Sequence, residues 1–109
     1  MAFNAELAER VRAAVKTRKG ITEQRLFGGL GFLLNGNLLV AIWKESLIVR
    51  LGVTQAEEVQ LDPHIGPMDI TGRPMKGWII VAPVGVESDP QVQGWVNKAI
   101  EFVKTLVPK

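Results

Sequence analysis

Cysteine is absent from the 109-residue sequence, and so is tyrosine. The first absence excludes disulfides, thiolate metal sites and a cysteine nucleophile, and it fits a reducing compartment. Histidine occurs once, at His64, and serine only at Ser46 and Ser88, neither inside a nucleophile-elbow pattern. No apolar run approaches the roughly eighteen residues that cross a bilayer. The basic first twenty residues lack the apolar stretch of a secretory signal, and Glu6 and Glu9 are out of place in an acid-poor transit peptide. The expected location is the cytoplasm. No internal repeat, low-complexity segment or linker interrupts the chain, so residues 1–109 are read as a single domain.

What is present is a core-forming composition, with 47% hydrophobic residues, too many for a disordered chain. Net charge is only +2, but six of the thirteen basic residues lie before Leu26: Arg10, Arg12, Lys16, Arg18, Lys19 and Arg25. A phosphate-facing patch is one reading of that cluster. The solvated face of a helix is the other, and the one a charge run usually signals.

Apolar residues Phe3, Leu7, Val11 and Val15 recur every fourth position, which predicts a helix from about Asn4 to Lys19, capped by Asn4 and stopped by Gly20. Strands are predicted over Leu26–Leu34, Asn37–Trp43 and Ser46–Leu51. Asn35-Gly36 suits the two positive φ angles of a type I′ hairpin turn and is the strongest local signal. Thr54 and Glu57 have capping-box spacing for a short helix through Val59. The stretch from Asp62 to Pro67 reads as irregular, followed by strands at Met68–Thr71 and Gly77–Ala82. Asp89 as cap and Pro90 in the first turn open a final helix whose stripe includes Val92, Val96, Ala99, Val103 and Leu106. The order α-β-β-β-α-β-β-α predicts a two-layer α+β fold with helices on an antiparallel sheet.

The Asn35-Gly36 turn sets Leu34 opposite Asn37. In an unbroken ladder, Gly29, Gly31 and Leu33 then share a face with Leu38, Val40 and Ile42. Leu30, Phe32 and Leu34 share the other with Leu39, Ala41 and Trp43. Neither face is polar, so either the helices wrap both or something outside the monomer covers one. Gly29 and Gly31 let a helix approach closely, which places the helices on their side. Leu30, Phe32, Leu39 and Trp43 are then the expected interface, with a second copy of the chain as the first candidate cover and an apolar ligand as the alternative.

Few residues suggest chemistry. The run Phe27-Gly28-Gly29-Leu30-Gly31 enters a hairpin rather than a helix and has no P-loop lysine, so it is read as a packing device. His64 with Asp62 and Asp69 is too sparse a set for a metal, and no metal, cofactor or catalytic constellation is expected. The segment Gly72-Arg73-Pro74-Met75-Lys76-Gly77-Trp78 places two cations and an indole on one turn, where Arg73, Lys76 and Trp78 can hold a phosphate and stack a base, or simply pack. Arg50, alone in an apolar strand, is expected to pair with an acid such as Asp69 or to reach the sheet rim.

Together these residues resemble a known family. Arg25 to Gly36, with its Phe-Gly-Gly and closing Asn-Gly, is similar to the opening of the TfoX/Sxy N-terminal domain, and Ser46–Leu51 to its third strand. Pro63-His64, Pro67–Trp78 and the ending Trp95–Lys109 resemble single-domain bacterial members. The resemblance implies a secretion-chaperone-like two-layer fold, often dimeric. It also implies the setting of natural-competence regulators, which act with the cyclic-AMP receptor protein and carry a second, C-terminal domain. The present chain is expected to hold the N-terminal domain alone. The expected function is a non-enzymatic regulatory or protein-interaction module, likewise homodimeric. Its alternatives are a small-ligand binder using the apolar sheet face and the Arg73–Trp78 turn, and weak nucleic-acid binding through the basic helix.

Overall fold

Asn4 opens the first helix as its spacing predicts. Its side-chain oxygen accepts from the backbone N–H groups of Glu6 at 2.9 Å and Leu7 at 3.1 Å, satisfying two donors that the first turn leaves unpaired. The computed structural model describes residues 4–26, 28–59, 62–68 and 75–108. Helix α1 (Ala5–Val15) buries Leu7, Ala8, Val11 and Val15. It stops short of Lys19 because Val15 is the last residue of the stripe, and a short helix without further burial does not propagate. Gly20 does take a positive φ of 85°, but as the turn into a strand.

That strand, β1 (Ile21–Leu26), corrects the expected single strand over Leu26–Leu34. The chain reverses around Gly28, and β2 (Gly29–Leu34) returns against it with Arg25 opposite Leu30. β1 gave no signal because it is an edge strand, with Thr22 to Arg25 exposed. β3 (Asn37–Trp43) and β4 (Ser46–Arg50) fall where expected. Asn35 and Gly36 have φ of 52° and 85°, as the hairpin turn requires. Helix α2 (Val53–Val59) starts one residue ahead of the expected cap: Gly52, at a φ of 85°, ends β4 and its carbonyl accepts from Ala56 N–H, so Thr54 lies inside the first turn. A short strand, β5 (Ile65–Pro67), occupies the stretch read as irregular. Met68 follows it outside any strand, and the rest of the strand expected at Met68–Thr71 lies outside the described residues. β6 (Trp78–Val81) and a 3-10 turn at Pro83–Val86 lead to α3 (Asp89–Val103). Ser88, not Asp89, caps α3. Its hydroxyl accepts from Gln91 N–H while the Gln91 side chain reaches back to Ser88 N–H, a reciprocal pair that Asp89 has no Gln or Glu to form.

The six strands of the described residues form one antiparallel sheet in the order β1-β2-β3-β4-β6-β5, the α+β architecture the element order predicts. The hairpin begins in the expected register, with Leu34 opposite Asn37 and Leu33 opposite Leu38. Then it slips. Phe32 pairs with Val40, leaving Leu39 as the extra residue of a β-bulge, and Leu30 pairs with Ile42.

The slip decides which face is which. Leu30, Phe32, Leu34, Leu39, Val40 and Ile42 join one core with α1, α3 and Ala56 of α2. Phe32 and Leu39 have no exposed surface. The helices therefore lie over Leu30 and Phe32, not over Gly29 and Gly31. Of the expected interface, Leu30, Phe32 and Leu39 are interior, and Trp43 alone stays on the other face. Gly29 needs its missing side chain for a different reason: a Cβ there would strike the carbonyl oxygen of Ile42 in β3. The close approach is strand to strand.

The second face is not bare. Met68 and Met75, joined by a 2.9 Å bond from Met75 N–H to Met68 C=O, pack on it. Met68 is fully buried with Ala41 and Ile48, and Trp43, Trp78 and Ile80 stand half-buried around them. The chain supplies part of the cover that the all-apolar hairpin calls for.

Candidate functional site

The ends of β4 and β6 cross at two glycines. The Gly77 carbonyl accepts from both Leu51 N–H, at 2.9 Å, and Gly52 N–H, at 3.0 Å. Gly52 and Gly77 have φ of 85° and 86°, a region that side chains other than glycine's enter only with strain. A Cβ on Gly77 would lie 3.4 Å from the Gly52 backbone, and one on Gly52 only 2.7 Å from the Phe102 ring. Glycine at both places brings the two strand ends and α3 together.

Above that crossing is a cleft of about 200 Å³ lined by Arg50, Gly52, Val53, Lys76, Gly77, Trp78 and Phe102. Arg50 and Trp78 face each other across the β4–β6 ladder. The guanidinium lies 5.0 Å from the centroid of the Trp78 ring and 5.9 Å from that of Phe102, within reach of a cation–π attraction. Burial holds the Arg50 pKa below its ordinary value, because low-dielectric surroundings penalise the charged form. Among the described residues no carboxylate and no hydrogen-bond acceptor pairs with Arg50. Lys76 is exposed on the same cleft.

The structure thus brings together Arg50, Lys76 and Trp78 of the sequence-predicted residues. A guanidinium does lie over the Trp78 indole, and it comes from Arg50 on the neighbouring strand. Arg73, like Asp69, lies outside the described residues. His64 is elsewhere, exposed in a turn where its backbone N–H donates to Asp62 Oδ1 at 2.8 Å. It borders a depression of about 410 Å³ beside Trp95. Among the described residues no group of three or more His, Asp or Glu side chains is placed to hold a metal. Sequence reasoning missed Phe102, Gly52 and Gly77. Phe102 sits beside the apolar stripe of α3 with nothing in the sequence to tie it to Arg50. The two isolated glycines just after and just before apolar strands were the available signal.

The basic cluster divides. Arg12 makes a bidentate pair with Glu23, Nε to Oε2 and Nη2 to Oε1 both at 2.8 Å, and also reaches Glu9. Its hydrogen bonds to Glu23 and Glu9 hold its pKa above the ordinary value, and the Glu23 carboxyl is held down in turn by the same bond. Arg10 lies 3.6 Å from Asp89 and donates to the Val86 carbonyl at 3.5 Å. Lys16, Arg18 and Lys19 remain exposed. Two of the helix cations thus serve tertiary contacts.

No helix among the described residues is long and apolar enough to cross a membrane. Comparison with curated proteins and with solved structures gave no match. The sequence does match the TfoX N-terminal domain over residues 13–103, a span that takes in the whole sheet, the two-glycine crossing and the Arg50 cleft. The chain belongs to the TfoX N-terminal domain family.

Proposed function

We propose that this domain is a non-enzymatic regulatory module that works by binding protein, in the first place a second copy of itself, through the part of its second sheet face that Met68 and Met75 leave open. The observation that supports it is the half-exposed Trp43, at the margin of a face that also presents Leu33 and Ile80 and over which no helix of the described residues lies. Among the described residues this face is nearly free of charge at its centre, with Ser46 beside Trp43 and cations at its margins, Lys44 and Arg50. An uncharged apolar patch is complementary to another of the same kind, as a two-fold interface requires. Membership in the TfoX N-terminal domain family is compatible with a role in transcriptional or competence regulation. Light scattering on a sizing column, from micromolar to near-millimolar protein, tests the reading. A dimer that Trp43→Glu converts to a folded monomer supports it. A monodisperse monomer across the whole range overturns it.

A further inference from the structure

Arg50 sets a problem of its own. A guanidinium stacked on rings spends its faces there and leaves the N–H edge, with five donors, for acceptors. Arginines taken partly out of water normally meet a carboxylate. Here the donors meet neither a carboxylate nor a carbonyl among the described residues. The side chain lines an open cleft together with a second cation, Lys76, that likewise forms no ion pair among the described residues. The acid bordering the adjoining depression, Glu57, makes no ion pair with Lys76.

We infer that the cleft between β4, β6 and α3 is a binding site for a small phosphate-bearing ligand, with the phosphate seated on the Arg50 fork and Lys76 and bordered by Trp78 and Phe102. A fork of parallel N–H donors matches two oxygens of a tetrahedral or planar oxyanion. The second cation selects between them. A carboxylate carries one charge, whereas a phosphate monoester carries about −1.5 to −2 at neutral pH and is matched by Arg50 and Lys76 together. The cleft's volume, about 200 Å³, is below the roughly 300 Å³ at which drug-sized pockets begin. It suits inorganic phosphate or a short phosphate monoester rather than a dinucleotide. The two-glycine crossing fixes the distance between the two cation-bearing strand ends, so the site is present before a ligand arrives.

The test follows the indole N–H of Trp78 by NMR in the full chain at low salt. Inorganic phosphate, glycerol phosphate and acetate are titrated separately. Saturable movement of the Trp78 signal by either phosphate probe, with acetate weaker, is expected. Glycerol phosphate binding more tightly than inorganic phosphate assigns an esterified ligand, and equal binding assigns the free ion. Arg50→Lys keeps the charge but not the fork and should weaken binding about tenfold, the range of a charge-assisted bond. Lys76→Ala, at an exposed position, should weaken it several-fold and keeps the test decisive if the Arg50 variant unfolds. Absence of saturable movement overturns the site, as does binding that both substitutions leave unchanged. Acetate matching phosphate overturns the phosphate assignment.

Discussion

Replacing Phe32 by alanine tests which side of the sheet faces inward. Phe32 is fully buried between β2 and the helices. The substitution removes roughly 100 Å³ of side chain, and a rigid cavity costs about 24 cal/mol per Å³, or about 2.4 kcal/mol. Losing the ring's transfer free energy adds about 2 kcal/mol. Partial collapse of the site reduces the sum, so about 3–5 kcal/mol is expected, much of the stability of an ordinary domain. With a urea slope of about 1.5 kcal/mol per M, the unfolding midpoint falls by about 2–3 M. Trp43→Ala on the half-exposed second face should cost only about 1–2 kcal/mol. Unfolding can be followed by intrinsic fluorescence, since the chain has three tryptophans and no tyrosine. Should Phe32→Ala unfold the chain outright, Phe32→Leu gives the same ordering at a smaller cost. If Trp43→Ala is the more damaging substitution, the bulged register and the side assigned to the helices are wrong.

Other perturbations probe separate parts of the fold. Gly52→Ala should destabilise by about 2 kcal/mol or more, because left-handed strain is joined by collision with Phe102, whereas Gly77→Ala meets only ordinary contacts and should cost about 1 kcal/mol; urea titration of both separates strain from collision. Glu23→Gln should lower stability at neutral pH by about 0.5–1 kcal/mol, a discounted figure for a pair partly open to solvent. The folded Glu23 carboxyl titrates below its ordinary value of 4.5. Its contribution is therefore complete above that pH and fades as the pH falls through the folded value, so the wild type and the variant should converge in acid. Asn37→Ala removes the 3.0 Å bond from its buried amide to the Val107 carbonyl; a loss of about 1–2 kcal/mol with faster amide exchange near Val107 is expected, and unchanged exchange would show that the tether is idle.

Local chemistry was legible where one residue type decides the backbone. Asn35-Gly36 fixed its turn because few other pairs tolerate two positive φ angles, and Asn4 its cap because few side chains reach back to the first-turn donors. Strands β3 and β4 were legible because both of their faces are apolar. β1 was not, because an edge strand with exposed Thr22, Glu23, Gln24 and Arg25 lacks the alternation that burial on one face imposes. The side of the sheet facing the helices depended on one extra residue at Leu39, and nothing in Asn37-Leu38-Leu39-Val40 marks a bulge when every residue around it is apolar. The site was half legible. Lys76 and Trp78 were marked by cation and indole on one turn, and Arg50 by its isolation in an apolar strand. Their meeting required the β4–β6 pairing, which joins segments far apart in sequence.

The bulge also bears on how this hairpin tolerates changes in length. Upstream of Leu39 the strands pair as an unbroken two-residue hairpin would dictate, and downstream every partner is shifted by one. Deleting Leu39 would let Leu38 run directly into Val40 with both keeping their partners, so the strands would zip into a regular ladder. Such a deletant should retain the topology and lose only the packing of one buried leucine. Deleting Val40 or Ala41 should spread disruption through the sheet, because the bulge cannot absorb the loss without moving inward side chains out. Leu39 thus marks a position where this domain can be one residue shorter and still be the same domain.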